Sequence, residues 1–322
     1  MSERNLTVRV ARIQRQTPEI LSFELVHPAG RALPGYQAGA HIDVFMPGGF
    51  ARQYSLACNA DADGHEASRY LIGVKREAAS RGGSASMHGR VREGDLLPIS
   101  TPRNSFPIRH EARRHLLLAG GIGMTPLLAM AQALARAKAD FRLCVFVRSE
   151  AHLAFAESLR DPLLAPHVSL HFDAAEAPQK IDLRRLLATR EGDTQLYVCG
   201  PGGFMQAVRE AAVHWPEDAV HTEYFAAPTD VAGATGKPFV LRLARRGIRV
   251  PVAGDQSAVD ALHEVGIDIP VSCEQGLCGT CVVDAEGEGA AHRDFCLTRS
   301  ERVHKVALCC SRASGEELVI DL

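Results

Sequence analysis

The chain has 322 residues, 46% of them hydrophobic and 23% charged, with a formal net charge of −2. That length allows two or three domains with separate cores, and the charge balance offers no basic excess for nucleic acid. No apolar run approaches the roughly 20 residues of a membrane span, and "MSERNLTVRV" has no apolar signal core, so a cytoplasmic protein is expected. Nine cysteines, an odd number in a long chain, argue against a disulfide framework. Most of them fall after residue 272, which points to a metal site near the C-terminus.

The first hundred residues read as all-β. "LTVRVARIQRQ", "ILSFELVHP", "AHIDVFMP", "ARQYSLAC", "RYLIGVKRE" and "DLLPIST" are short, β-branched or alternating, and parted by Gly, Pro and Asp turns. A helical pattern enters only at "SASMHGRV", so a closed antiparallel barrel is expected. Within it, "RQYS" places Arg52 and Tyr54 on one face by the period of two, with Ser55 opposite unless the strand ends there. Such an Arg–Tyr pair can neutralise a phosphate and stack on a planar ring, though a solvated edge strand has the same appearance. "SRGGSASMH", residues 80 to 88, opens a helix with an Arg, two glycines and a Ser, the geometry of a phosphate cradle.

From about residue 113 strands and helices alternate. "RHLLLAGGIGMTPLLAMAQALARAKA" is an apolar strand, a glycine turn and an Ala/Leu-rich helix; "DFRLCVFVRS" is a second buried strand. "DTQLYVCGPGGFMQAVREAAV" repeats strand, turn and helix. This is the pattern of a parallel sheet covered on both faces. The turns "GGIGMTP" and "CGPGGFM" would both border the crevice beyond the carboxyl ends of the strands, and together they favour a dinucleotide over plain turn chemistry. "AAPTDVAGATGKP", residues 226 to 238, reads as a linker. Beyond it, "FVLRLARRGIRVPV" is a hairpin turning at Arg246 and Gly247, and "SAVDALHEVG" is a short helix.

"SCEQGLCGTC" then spaces Cys273, Cys278 and Cys281 as C-x4-C-x2-C, the plant-type [2Fe–2S] pattern completed by a distant fourth cysteine. Gly276 and Gly279 allow the loop to wrap a cluster and bring bare N–H groups to its sulfurs. Zinc is the alternative, but zinc sites favour two closely spaced cysteine pairs and only one exists here. Buried free thiols are a third. Cys296, 15 residues past Cys281, is too near for the distant ligand, which leaves Cys309 or Cys310. If "KVALCCSR" is extended, only one of those two side chains faces the cluster.

The motifs "RQYS", "RGGSASMH", "GGIGMTP", "CGPGGFM", "EYF", the cysteine loop and "CCSRASGEELVIDL", in this order along the whole chain, resemble the phthalate dioxygenase reductase family. That family includes the reductases of ring-hydroxylating and O-demethylating oxygenases. The resemblance implies a multidomain fold: a flavin β-barrel over residues 1–106, an α/β NAD domain over 107–227, a linker at 228–236, and a β-grasp ferredoxin domain over 237–322. On the same basis Arg52, Gln53 and the run Arg81, Gly82, Gly83 and Ser84 would serve the FMN and its phosphate. Tyr54 and Ser55 would lie against the flavin ring, with Ser55 near N5. Gly73, Val74, Lys75, Thr125 and Phe225 would complete the pocket. Gly121, Gly123, Cys199, Gly200, Pro201, Gly202 and Gly203 would hold the pyridine nucleotide, with Cys199 near the nicotinamide. The resemblance also selects Cys309 as fourth ligand, because the family's tail ligand precedes a small or apolar residue and then Ser-Arg. Two adjacent cysteines in that tail, where the family often has one, are the main departure.

The activity implied is NADH to FMN to [2Fe–2S] to an external acceptor, a Rieske-type oxygenase met transiently. A flavin takes two electrons together and releases them singly, which a cluster requires. No C-x-H stretch occurs, so the chain is not itself a Rieske protein. His41, His88, His115 and the other histidines show no ligand spacing. The same electron chain serving a haem protein or free flavin is the runner-up, and a relay that never meets the nicotinamide is a third reading, opposed by both glycine turns. Coenzyme choice is open on the residues: Arg148 and Ser149 suit a 2′-phosphate, whereas Glu150 would repel one, and the family tips it to NADH.

Overall fold

The computed structural model describes residues 5–58, 66–78, 82–173, 181–225, 236–271, 273–287 and 289–322. Arg81 and most of the expected linker, 226 to 235, lie outside them. The chain divides into two compact units, Met1–Glu223 and Tyr224–Leu322.

The first unit begins with antiparallel strands β1 (Leu6–Arg15), β2 (Ile20–Val26), β3 (Ala40–Met46), β4 (Phe50–Ser55), β5 (Tyr70–Lys75) and β6 (Leu96–Ile99), ordered β4-β3-β6-β1-β2-β5. A bridge between Leu56 and Ile72 joins the two edges, so the sheet closes as a barrel. Alternation drives it: Val8 and Val10 point inward from β1 while Thr7 and Arg9 face water. Phe23, Ile42, Ile72 and Ile99 fill the interior. Helix α1 (Gly83–Arg90) adds Met87, which is fully buried in that same core.

The rest of the unit is a five-stranded parallel sheet. Its strands are β7 (Arg114–Gly120), β8 (Asp140–Val147), β9 (Val168–Phe172), β10 (Gln195–Cys199) and β11 (Val220–Glu223), in the order β9-β8-β7-β10-β11. The chain leaves β7 in one direction through β8 and β9, then returns to the other side for β10. That reversal opens a crevice at the carboxyl ends of β7 and β10, where ligands of such sheets bind. Helix α2 (Met124–Arg136) starts at the end of β7 and is rich in the Ala and Leu that favour helix. Pro126 is tolerated because the first turn needs no N–H partner. Helix α3 (Gly202–Ala211) follows β10 in the same way. His115 is buried, with Nε2 2.9 Å from the Arg109 carbonyl and Nδ1 without a hydrogen-bond partner among the described residues.

The second unit pairs β12 (Phe239–Leu243) with β13 (Ile248–Val252) as a hairpin whose turn contains Gly247 at φ +65°, matching the sequence expectation. A C-terminal strand, β14 (Glu317–Ile320), runs parallel to β12, and helix α4 (Ala258–Glu264) packs on them. Ser257 and Asp260 form a capping box at its start. No helix among the described residues is long and apolar enough to cross a membrane.

Candidate functional site

Strand β4 carries the polar run of the barrel and ends at Ser55. At its other end lies the expected phosphate cradle. A Cβ on Gly82, which has φ +102°, would sit 2.3 Å from the Phe50 ring, and one on Gly83 would sit 2.8 Å from Arg52 Cγ. The α1 N-terminus is therefore pressed onto the strand, and only glycine fits. Arg52 donates to the Ala51 carbonyl at 2.6 Å. No side chain caps α1, while Ser84 Oγ accepts from the Glu77 N–H at 3.2 Å. Arg52, Gly82, Gly83 and Ser84 thus come together, a cation beside a helix N-terminus, the combination that can hold a phosphate. Tyr54, on the same face as Arg52, donates to Met46 Sδ at 4.0 Å, and burial raises its phenol pKa while Arg52 lowers it.

Other expected pocket residues divide. Gly73 has Thr125 Cγ2, Phe155 Cζ and Ile122 Cδ1 within 2.9, 3.1 and 3.2 Å of where a Cβ would stand, so β5 abuts the first glycine turn. Gly73 and Thr125 are brought together. Val74 is fully buried, Lys75 reaches Glu77 at 2.9 Å, and Gln53 Nε2 lies 3.5 Å from His41 Nε2. Phe225 belongs to the second unit and is 43% exposed.

The two glycine turns interlock. A Cβ on Gly123 would stand 2.3 Å from the Cys199 carbonyl oxygen, and one on Gly200 would stand 2.7 Å from the Phe204 ring and 3.0 Å from Gly120 Cα. Those glycines serve loop-on-loop packing. Gly121 (φ +53°), Gly202 and Gly203 instead face open space, and Pro201 leaves the α3 N-terminus without a side-chain cap. These positions leave backbone accessible to a pyrophosphate.

At the crevice, Ser55 Oγ donates to Glu223 Oε2 at 3.0 Å. Glu223 is the register partner of Cys199 across β10 and β11. Part of Glu223 is exposed, but its carboxyl lies deep in the protein. Burial pushes the carboxyl up to about 7, against the Ser55 hydrogen bond, which lowers it. Cys199 is fully buried, and burial, then the nearby Glu223, push its thiol well up. Sequence reasoning missed Glu223, using "EYF" only as a motif. The signal was an acid on the last residue of a sheet strand.

In the second unit, Cys273 Sγ accepts from the N–H groups of Gln275 and Leu277 at 3.4 and 3.3 Å. Gly276 N–H donates to Cys309 Sγ at 3.2 Å and Thr280 N–H to Cys278 Sγ at 3.5 Å. The loop achieves this by left-handed backbone at Glu274, Gly276 and Gly279. Cys278 and Cys309 lie close enough to Cys273 to push its thiol toward thiolate, and Cys309 also neighbours Cys281. Four thiols with N–H donors fit an iron–sulfur cluster, whose charge such bonds stabilise. Among the described residues no three His, Cys, Asp or Glu side chains close on a single metal ion, so these four thiols are gathered around the loop without converging on one ion. Cys296 packs beside these cysteines, with its thiol 3.9 Å from Asp294 Oδ2 and pushed up to about 12 by burial.

One expectation needs correction. Cys309 and Cys310 are not on an extended strand; the strand stops at Ala307, and the Ser311 N–H returns to the Ala307 carbonyl at 3.1 Å. In this turn the two side chains do not alternate. Cys310 Sγ would be 2.6 Å from a Cβ on Gly276, so both thiols face the cysteine loop.

Residues 241–314 match the family of 2Fe-2S iron-sulfur cluster binding domains, and residues 100–219 match the dimethylamine monooxygenase subunit DmmA-like N-terminal domain. The vanillate O-demethylase oxidoreductase of Pseudomonas sp. (strain HR199 / DSM 7063) is 44% identical over 98% of this chain and 100% of its own length. The solved structure of phthalate dioxygenase reductase, a modular structure for electron transfer from pyridine nucleotides to [2Fe-2S], is 36% identical. It covers 99% of this chain and 98% of its own, with a TM-score of 0.71. An intact type IV self-sufficient cytochrome P450 monooxygenase is 36% identical with a TM-score of 0.86, covering 99% of this chain; the chain spans only 41% of that longer protein. Matched from end to end by both the vanillate and the phthalate reductases, this chain belongs to the phthalate dioxygenase reductase family.

Proposed function

We propose that this oxidoreductase carries electrons from NADH through FMN and a [2Fe–2S] cluster to a Rieske-type terminal oxygenase. The observation that carries the reading is the course of strand β4. It runs from the phosphate cradle at Arg52 to the mouth of the dinucleotide crevice, where Ser55 bonds Glu223 beside Cys199. Flavin and nicotinamide sites would then share one short strand. We assign the flavin domain to residues 1–106, the nucleotide domain to 107–227 and the ferredoxin domain to 237–322.

When bound, the flavin supplies the conversion from two-electron to one-electron transfer. The chain's own groups do the rest. Arg52 and the α1 N–H groups neutralise a phosphate. Gly121, Gly202 and Gly203 admit the nucleotide's pyrophosphate to the backbone. With its pKa near 7, Glu223 holds or releases a proton at Oε2 within reach of Ser55. Cys273, Cys278, Cys281 and Cys309 are the proposed cluster ligands, and amide N–H groups stabilise negative charge on their sulfurs. The nine unpaired cysteines suit a reducing compartment, so we read the protein as cytoplasmic.

Anaerobic titration of the holoprotein with NADH tests this: flavin and cluster absorption should both bleach without a mediator. Zinc in place of iron, or no bleaching, would remove the reading. A haem protein as acceptor is the second reading, supported by the likeness to part of a P450 monooxygenase. Rapid reduction of haem proteins together with failure of every Rieske-type oxygenase would favour it.

A further inference from the structure

We infer that Glu19 and Glu150 set the coenzyme preference of this reductase by neutralising the two arginines that would otherwise hold a 2′-phosphate. The inference rests on the pyridine-nucleotide reading of the crevice above. In the parallel register Gly120 pairs with Phe146, so residues 148–150, just past the end of β8, stand beside Gly121 at the same edge of the sheet. A dinucleotide with its pyrophosphate on the glycine turns lays its adenosine half over such a strand end. There an acid accepts from the ribose hydroxyl of NAD, or an arginine receives the 2′-phosphate of NADP. The sequence offers both kinds of residue within three positions.

The structure ranks them. Arg148 Nη1 lies 3.9 Å from Glu19 Oε1, and Arg160 Nη2 lies 3.8 Å from Glu150 Oε1. Ser149 Oγ and His152 Nδ1 occupy one another at 2.9 Å. Two carboxylates therefore already oppose two guanidinium groups, and the four charges sum to zero. A 2′-phosphate must compete with both acids for its cations. A ribose hydroxyl needs only an acceptor, which Glu150 supplies. Arg148, Arg160 and Glu150 are largely exposed and Glu19 is half-buried, so the pairs contribute little to stability. What they change is the potential met by an anion within a Debye length of about 8 Å.

The test uses the FMN- and cluster-loaded protein and its Glu19→Gln, Glu150→Gln and double variants. The two readouts are the ratio of kcat/KM for NADPH to that for NADH, and calorimetric binding of adenosine 2′,5′-bisphosphate beside adenosine 5′-monophosphate. The double variant should raise the coenzyme ratio about tenfold or more and tighten the bisphosphate by a similar factor relative to the monophosphate. Both gains should shrink in high salt. An unchanged ratio in the double variant, or a wild type that already prefers NADPH, would overturn the inference. A wild type that oxidises neither nucleotide is a distinguishable result, because it removes the reductase reading and this inference with it.

Discussion

Ser55 donates its hydroxyl hydrogen to Glu223 at 3.0 Å, tying the last residue of a barrel strand to the last residue of the nucleotide sheet. The bond joins two residues 168 apart in the chain, where the carboxyl ends of the sheet meet the end of the barrel's polar run. It also counters part of the cost that burial imposes on an ionised Glu223.

That carboxyl gives a pH prediction. Its folded pKa, about 7, lies above the ordinary 4.5, so the folded state binds more protons than the unfolded chain between those values. The stability it contributes is complete below about pH 4.5 and is lost as pH rises through about 7. Glu223→Gln should flatten that slope, a difference on the order of 1–3 kcal/mol, in denaturant titrations from pH 4.5 to 8. It should also slow NADH-driven flavin reduction without loosening flavin binding. Ser55→Ala should raise the carboxyl pKa further. A variant with the wild-type pH slope would show that Glu223 is ionised throughout.

Arg52 is expected to hold the flavin by its phosphate. Losing a charge-assisted hydrogen bond of about 1.5–3 kcal/mol should weaken flavin retention by one to two orders of magnitude in Arg52→Ala. Fluorescence of flavin released on dilution measures this directly. Arg52→Lys should recover part of the loss, since a point charge replaces a planar fork. Heat-released flavin should be FMN; finding FAD would mean the cradle reading of Arg52, Gly82 and Gly83 is incomplete.

The glycines of the crevice should behave in two classes. Gly123→Ala drives a methyl onto the Cys199 carbonyl, 2.3 Å away and part of the backbone, so a loss of about 1–3 kcal/mol is expected. Gly203→Ala meets open space within a helix and should stabilise by about 0.5–1 kcal/mol. It should nonetheless raise the KM for NADH, because the new methyl stands where the backbone was bare. Thermal midpoints and kinetics of the two variants separate packing from binding.

Much of this was legible beforehand for physical reasons. Alternation in "LTVRV" and the apolar run in "HLLLAG" reflect which faces are buried, and burial is local enough to read. The C-x4-C-x2-C spacing is legible because a cluster fixes the reach of its loop. Glu223 was not, because its importance comes from a strand register and a partner 168 residues away. The distinction between Gly123, which packs, and Gly203, which stays open, also depends on loops that meet only in the fold. The tail was misread for a local reason: "KVALCCSR" is apolar enough for a strand, yet the ladder ends at Ala307 and the chain turns.

That turn sharpens the last prediction. If Cys309 and Cys310 alternated on a strand, Cys310 would be distant packing and any substitution there would be silent. Instead its thiol lies against Gly276, whose N–H donates to Cys309 at 3.2 Å. Cys309 is still the expected ligand, since it neighbours both Cys273 and Cys281 and receives that amide hydrogen. Cys309→Ser should lose or severely destabilise the cluster while keeping FMN and NADH-to-dye activity. Cys310→Ser, nearly equal in volume, should keep the cluster's visible absorption and NADH-driven reduction of an iron–sulfur-dependent acceptor. Cys310→Leu should not be silent, because the larger side chain must push on Gly276 and so disturb the N–H bond to the ligand sulfur. Iron content, visible absorption and the electron paramagnetic resonance of the reduced cluster report all three variants. A cluster that survives Cys309→Ser but not Cys310→Ser would move the fourth ligand by one residue and reverse the assignment.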